Sequence, residues 1–104
     1  MAVGALGGLE RTVEVVFHPG DVLTFDGSKS YDPDGQVVEW RWDFGDGFTE
    51  RTSTPTTTHA YKAPGVYNAS LVVVDNDGNV SKPYVRPITI AKPLVAPTAL
   101  FTIR

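Results

Sequence analysis

Between Trp42 and Gly47 an alternating aromatic run passes without a break into a turn of glycine and aspartate, Trp42-Asp43-Phe44-Gly45-Asp46-Gly47. Trp40, Trp42 and Phe44 alternate with Glu39, Arg41 and Asp43, the period of two that sends each set to its own face of a strand. Gly45 and Gly47 supply the positive φ that a tight reversal needs, and aspartate carboxylates bond nearby backbone N–H groups. A helix cannot accommodate such a segment, so the core must be built from strands. Two buried Trp rings each remove ~150–250 Å² from water, roughly 4–6 kcal/mol apiece by area. Val37 to Phe44 is therefore expected to be the central strand of the core.

The rest of the chain follows the same period. Val13, Val15 and Phe17 alternate with Glu14 and Val16, Pro19-Gly20 interrupts, and Leu23 and Phe25 alternate with Thr24, describing two strands across a turn. Thr52 to Thr58 is a run of hydroxyls around Pro55 that suits an edge strand or an open loop. Tyr67, Ala69, Leu71 and Val73 alternate with Asn68, Ser70 and Val72 in the longest strand, closed by Asp75-Asn76-Asp77-Gly78. Ile88 and Ile90 lie on a final strand, which Pro83 and Pro87 confine to a sheet edge or a bulge because proline donates nothing to a ladder. No window shows a capped 3.6-residue period, and turn signals recur about every ten residues, the pattern of an all-β sandwich of about seven strands.

A chain of 104 residues suffices for one domain with its own core. Residues 1–11, small and glycine-rich, are expected to form a linker or disordered tail, and residues 12–91 the sandwich. Residues 92–104 are expected to form a linker and the first strand of a following repeat: Lys92 to Pro97 is a stiff spacer, and Thr98 to Ile103 resumes the alternation. The net charge is −3 and the nine basic residues are scattered singly, which excludes the electrostatic footprint of a nucleic-acid binder. No apolar run approaches the ~20 residues that cross a bilayer, and Met1 to Leu9 lacks the basic start and apolar core of a secretion signal. An exported parent would thus be a longer chain. With no cysteine, disulfides and thiolate metal sites are excluded.

On three motifs in order, Asp26-Gly27-Ser28-Lys29-Ser30-Tyr31-Asp32-Pro33-Asp34-Gly35, Trp42-Asp43-Phe44-Gly45-Asp46-Gly47 and His59-Ala60-Tyr61-Lys62-Ala63-Pro64-Gly65-Val66-Tyr67, the chain resembles the PKD domain family over roughly Val13 to Ala91. The resemblance implies an immunoglobulin-like sandwich of two antiparallel sheets, non-catalytic, used outside the cell in surface proteins, surface layers and beside secreted hydrolases. Ala96 to Thr102 is similar to the opening of another such module.

Asp32-Pro33-Asp34-Gly35 and Asp75-Asn76-Asp77-Gly78 are acidic loops of the kind that cage Ca²⁺ when two of them meet, since this cation takes 6–8 oxygens. Similar domains in bacterial collagenases bind calcium at positions matching Asp32, Asp34 and Asp75. Those relatives also use polar residues ahead of the domain, where this chain has Ala, Gly and Leu. The competing role for these aspartates is to cap turns by accepting backbone N–H bonds. No cofactor is required by any motif, and Ca²⁺ is the one candidate. Asp43 and Asp46 are assigned to the turn they sit in, and His18 and His59 to packing or solvent.

No nucleophile elbow or phosphate loop is present, so catalysis is not expected. A hydrolytic domain would need a histidine within bonding reach of a carboxylate, with a nucleophile in a cleft. Asn68-Ala69-Ser70 and Asn79-Val80-Ser81 match the glycosylation sequon. Trp40, Tyr31, Tyr61 and Tyr84 are the candidates for an exposed stacking platform, with Trp40 expected in the core beside Trp42. The expected function is a non-catalytic extracellular spacer and protein-interaction module whose partners are neighbouring domains, other proteins or surface glycans. The rival is an accessory module that holds an attached secreted hydrolase on polysaccharide or collagen.

Overall fold

The computed structural model describes residues 16–93 and 99–103, and none of these is helical. Val13 and Val15, the tail before them and most of the Lys92–Pro97 spacer lie outside the described residues. Six strands follow in order: β1 (Val22–Asp26), β2 (Val37–Asp43), β3 (Thr49–Thr52), β4 (Thr56–Ala60), β5 (Gly65–Asp75) and β6 (Tyr84–Ile90). They form a two-stranded sheet, β1-β4, and a four-stranded sheet in the order β3-β2-β5-β6, with every strand pair antiparallel.

Both sheets owe their inner faces to the period of two. Leu23 and Phe25 of β1 face Trp40 and Trp42 of β2, Ala69, Leu71 and Val73 of β5, and Ile88 and Ile90 of β6, all buried in one core with Phe44 and Tyr61. Trp42 is 2% exposed and Trp40 9%, so both indole rings belong to the core. Phe25 meets Trp42 edge-on at 5.9 Å and Phe44 at 5.1 Å between ring centroids, the offset geometry that aromatic quadrupoles favour. Each indole N–H also finds an acceptor, Trp40 at the Gly27 carbonyl (3.1 Å) and Trp42 at Thr52 Oγ1 (3.3 Å). Gly27 is glycine for want of space: a Cβ there would lie 2.9 Å from both the Trp40 ring and Leu71.

The strands of low apolar content sit at edges. β3 closes one side of the larger sheet and β6, carrying Pro87, closes the other. The hydroxyl-rich stretch splits into the end of β3 and the start of β4, with Pro55 between them accepting a bond from Gly27 N. One sequence expectation takes a different form here. Phe17 does not pair across the Pro19-Gly20 turn with β1; it bridges in parallel to Ile90, and Ala91 N donates to its carbonyl at 2.8 Å. The turn instead carries the chain from the larger sheet to the smaller, held by His18 N on Asp21 Oδ2 (2.8 Å) and Gly20 N on the Tyr61 carbonyl (2.9 Å). Residues 99–103 lie in no strand, and Leu100, Phe101 and Ile103 are exposed.

Candidate functional site

Polar side chains concentrate at the two ends of the sandwich. Because Val37 pairs with Asp75 and Asp43 with Ser70, the Asp32–Gly35 loop and the Asp75–Gly78 turn share one end, while the Gly45–Phe48 turn lies at the other with the β4–β5 connection.

At the first end the two acidic loops do meet. Gln36 N donates to Asn76 Oδ1 and Asn76 N to the Gln36 carbonyl, each at 3.0 Å, and the Asp32 carboxyl lies near enough to Asp75 to act on it. Asp75 is 3% exposed, yet its oxygens are occupied by its own turn. Oδ1 accepts from Asp77 N (2.9 Å) and Asn79 N (2.8 Å), and Oδ2 from Asn79 Nδ2 (3.2 Å). Burial pushes the Asp75 carboxyl up, but the bonds from Asn79 and Asp77 outweigh it and hold it below the usual carboxylate range. Asp32 Oδ1 accepts from Asp34 N (3.1 Å), and Asp34 is exposed. The loops thus bring Asp32 and Asp75 together, and no three His, Cys, Asp or Glu among the described residues converge on one metal position. Asn79 spends its amide on this cap, whereas Asn68 stands exposed on β5, so the two sequons differ in access.

At the second end the turn after β2 does two tasks. Gly45 (φ 81°) and Gly47 (φ 95°) occupy the left-handed region, and a Cβ on Gly45 would meet the Asn68 carbonyl oxygen at 2.6 Å. Asp43 Oδ1 accepts from Gly45 N (3.0 Å) and Asp46 Oδ1 from Phe48 N (3.2 Å), the structural roles read from the sequence. Asp46 Oδ2 also lies 2.7 Å from His59 Nε2, with both side chains 15% exposed, a pair that sequence alone did not reveal. The His59 ring stacks on Phe44 at 4.0 Å and 3°, and its edge meets Tyr61, whose buried hydroxyl donates to the Phe44 carbonyl at 2.7 Å. Burial pushes the Tyr61 phenol far up, so it remains a donor at any ordinary pH. Burial also pushes the Asp46 carboxyl up, but its bonds from His59 and Phe48 N prevail and hold it low.

Asp46 and His59 line a pocket of about 400 Å³ with Phe48, Ala60, Lys62, Ala63 and Tyr67. A histidine–carboxylate pair is half of what hydrolysis needs. No Ser, Thr or Cys is among the described residues that line the pocket. Of the four aromatic candidates, Tyr61 and Trp40 are core residues, while Tyr31 (57%) and Tyr84 (42%) present their rings to solvent.

A two-sheet antiparallel sandwich with capped acidic turns defines a β-sandwich module. The sequence profile described as PKD domain matches residues 11–90, so the chain belongs to the PKD domain family. Collagenase ColA of Clostridium perfringens is 41% identical over 59 residues, covering 57% of this chain and 5% of the collagenase. The microbial collagenase of Vibrio alginolyticus is 44% identical over 59 residues, covering 57% and 7%. The chain therefore spans only a small fraction of these curated relatives. Among solved structures, the PKD1 domain of Vibrio cholerae metalloprotease PrtV superposes with a TM-score of 0.61 at 27% identity, over 86% of this chain and 93% of that one. A chain solved to explain promiscuous specificity in carbohydrate-binding modules of the β-sandwich superfamily matches with a TM-score of 0.77 at 31% identity, over 88% of this chain and 34% of that one.

The low-lying Asp46 carboxyl has a sign that can be measured. A folded-state value below the ordinary 3.8 contributes stability that is fully present above 3.8 and is lost as pH falls through the folded value. Asp26 and Asp75 are lowered too and share this acid limb. Urea midpoints taken from about pH 5 down to 2 should fall, and Asp46→Asn should flatten part of that fall while lowering the plateau above it. A parallel decline in the variant would remove Asp46 from the acid limb.

Proposed function

We propose that this PKD domain serves as a non-catalytic extracellular spacer and interaction module within a larger secreted or surface protein. The observation that carries this reading is the direction of the chain. Phe17 bridges in parallel to Ile90 near the end of β6, so the chain has the same sense where it enters the sandwich and where it leaves it, as suits a spacer with its neighbours at opposite ends. Antiparallel pairing across both sheets gives the bead a cooperative core, and a Pro-containing connection after Ala91 limits swivel. Two copies joined through Lys92–Pro97 should relax in solution as one elongated body by ¹⁵N relaxation; isotropic, independent tumbling of the copies would refute the spacer role.

The acidic corner suits turn capping in this scheme. Asp75 already accepts three bonds within its own turn and Asp32 accepts one. The melting midpoint is expected to be unchanged at millimolar calcium. A site filled at ten times its dissociation constant would raise it by roughly 6–11 °C, and such a rise would assign Asp32, Asp34 and Asp75 to a metal.

A second reading, an accessory module that holds a hydrolase on collagen or polysaccharide, draws support from the exposed rings of Tyr31 and Tyr84 and from the collagenase relatives. Under it the chain is retained on insoluble collagen or polysaccharide, and Tyr31→Ala or Tyr84→Ala releases it with the melting midpoint intact. Equal retention of both variants would exclude these rings as the platform.

A further inference from the structure

The outer face of the four-stranded sheet carries an arrangement that folding alone does not favour. Register sets Arg41 of β2 directly opposite Arg51 of β3, with Val72 of β5 on its other side; the next row along the strands is Thr49, Asp43 and Ser70. Like charges placed opposite across a strand pair destabilise it. Arg41 is paired with Glu39 one row back, and the row ahead neutralises neither arginine. Asp43 turns Oδ1 to Gly45 N and forms no ion pair with Arg41 or Arg51, and Glu50 is bonded to Thr57 Oγ1 at 2.8 Å. Arg41 is held only through Nε, 3.0 Å from Glu39 Oε2, which leaves its two terminal nitrogens directed away from that bond. Arg51 is exposed and makes no hydrogen bond or ion pair among the described residues. The two guanidiniums line an open groove of about 320 Å³ together with Thr49, Asp43, Ser70 and Val72.

We infer that this groove is a binding site for an extended acidic peptide, which adds to the free edge of β3 and sets a glutamate or aspartate side chain across Arg41 and Arg51. Three observations select this ligand. Paired guanidiniums match a carboxylate with two parallel N–H···O bonds, and a bound carboxylate removes the repulsion the register imposes. β3 is an edge strand, so its outward N–H and C=O groups are open to main-chain pairing with a partner strand. The groove offers no exposed ring on which a sugar would stack, for its one aromatic, Trp42, is 2% exposed. The period of two in a paired strand returns every second peptide side chain to this face, so alternation of acidic and neutral residues is the matching pattern. The net charge of −3 keeps polyanions away from the rest of the surface, which confines attraction to this patch. The site is separate from the exposed tyrosines, and it holds whether or not the module acts as a spacer.

The test is an NMR titration of the ¹⁵N-labelled 104-residue chain with an end-blocked peptide alternating threonine and glutamate, with its glutamine counterpart and with oligogalacturonate. Saturable shifts are expected at the Thr49–Thr52 amides and at Arg Nε, with dissociation in the high-micromolar to millimolar range given by so short an edge. Arg41→Gln, Arg51→Gln and the glutamine peptide should each weaken binding about five-fold, the size of one exposed charge pair. Arg51→Gln should also raise the melting midpoint of the free chain by roughly 1–4 °C at low salt, which separates lost contact from lost fold. Absence of saturable shifts at millimolar peptide, equal affinity for the glutamine peptide, or shifts confined to β1, β4 or β6 would overturn the site. Tighter binding of oligogalacturonate through the same arginines would overturn the peptide in favour of a glycan.

Discussion

Strand β2 does not end at its last ladder bond; its alternation continues through Phe44 and reverses at Gly45, so the residue that closes the core also begins the turn. The consequences are joined at one carbonyl. Phe44 C=O accepts the buried Tyr61 hydroxyl, and the Phe44 ring lies between Phe25 and His59. A buried hydroxyl without an acceptor costs about 1–3 kcal/mol, so Tyr61 and Phe44 constrain each other's position. Through them the β4–β5 connection is tied to the β2–β3 turn across the two sheets. The close approach of Gly45 to the Asn68 backbone completes the clamp, since any Cβ there would push the turn off β5.

The two ends of the sandwich spend their charge in different ways. At one, Asp75 sits buried and directs its oxygens to the N–H groups of its own turn, which shapes the loop that Asn76 then uses to bind Gln36. At the other, Asp46 divides its carboxylate between Phe48 N and His59, so one residue both shapes a turn and links it to the smaller sheet. In each case an aspartate compensates its desolvation with hydrogen bonds, as a carboxylate shielded from water must. The collagenases similar to this chain match it over only 5% and 7% of their length.

Much of the fold was legible because a strand in a two-sheet core writes its environment into every second residue. Trp40, Trp42, Tyr67, Ala69, Leu71, Val73, Ile88 and Ile90 all face inward as their alternation requires, and the proline in β6 sits on an edge for want of an N–H. The site was less legible. Asp46 and His59 are 13 residues apart, one in the β2–β3 turn of the larger sheet and the other on β4 of the smaller, and neither position carries a local pattern that marks the other. The one available hint was the turn itself: an aspartate carboxylate has two oxygens, and a single backbone bond uses only one of them. The sheet that receives Phe17 was not legible for a related reason, because alternation specifies which face is buried and says nothing about which sheet receives the strand.

From the order of residues alone came the class of fold, the inward face of the central and longest strands, the turns at Gly45–Gly47 and Asp75–Gly78, and the family. These depend on interactions within a few residues, where backbone stereochemistry and a period of two leave few options. Only the tertiary structure decided that Asp32 comes near Asp75, that His59 closes on Asp46, and that Arg41 stands opposite Arg51. Each of those is a contact between segments whose separation in space is set by register and sheet order, and register is chosen by the packing of the whole core at once rather than by any stretch of chain that takes part in it.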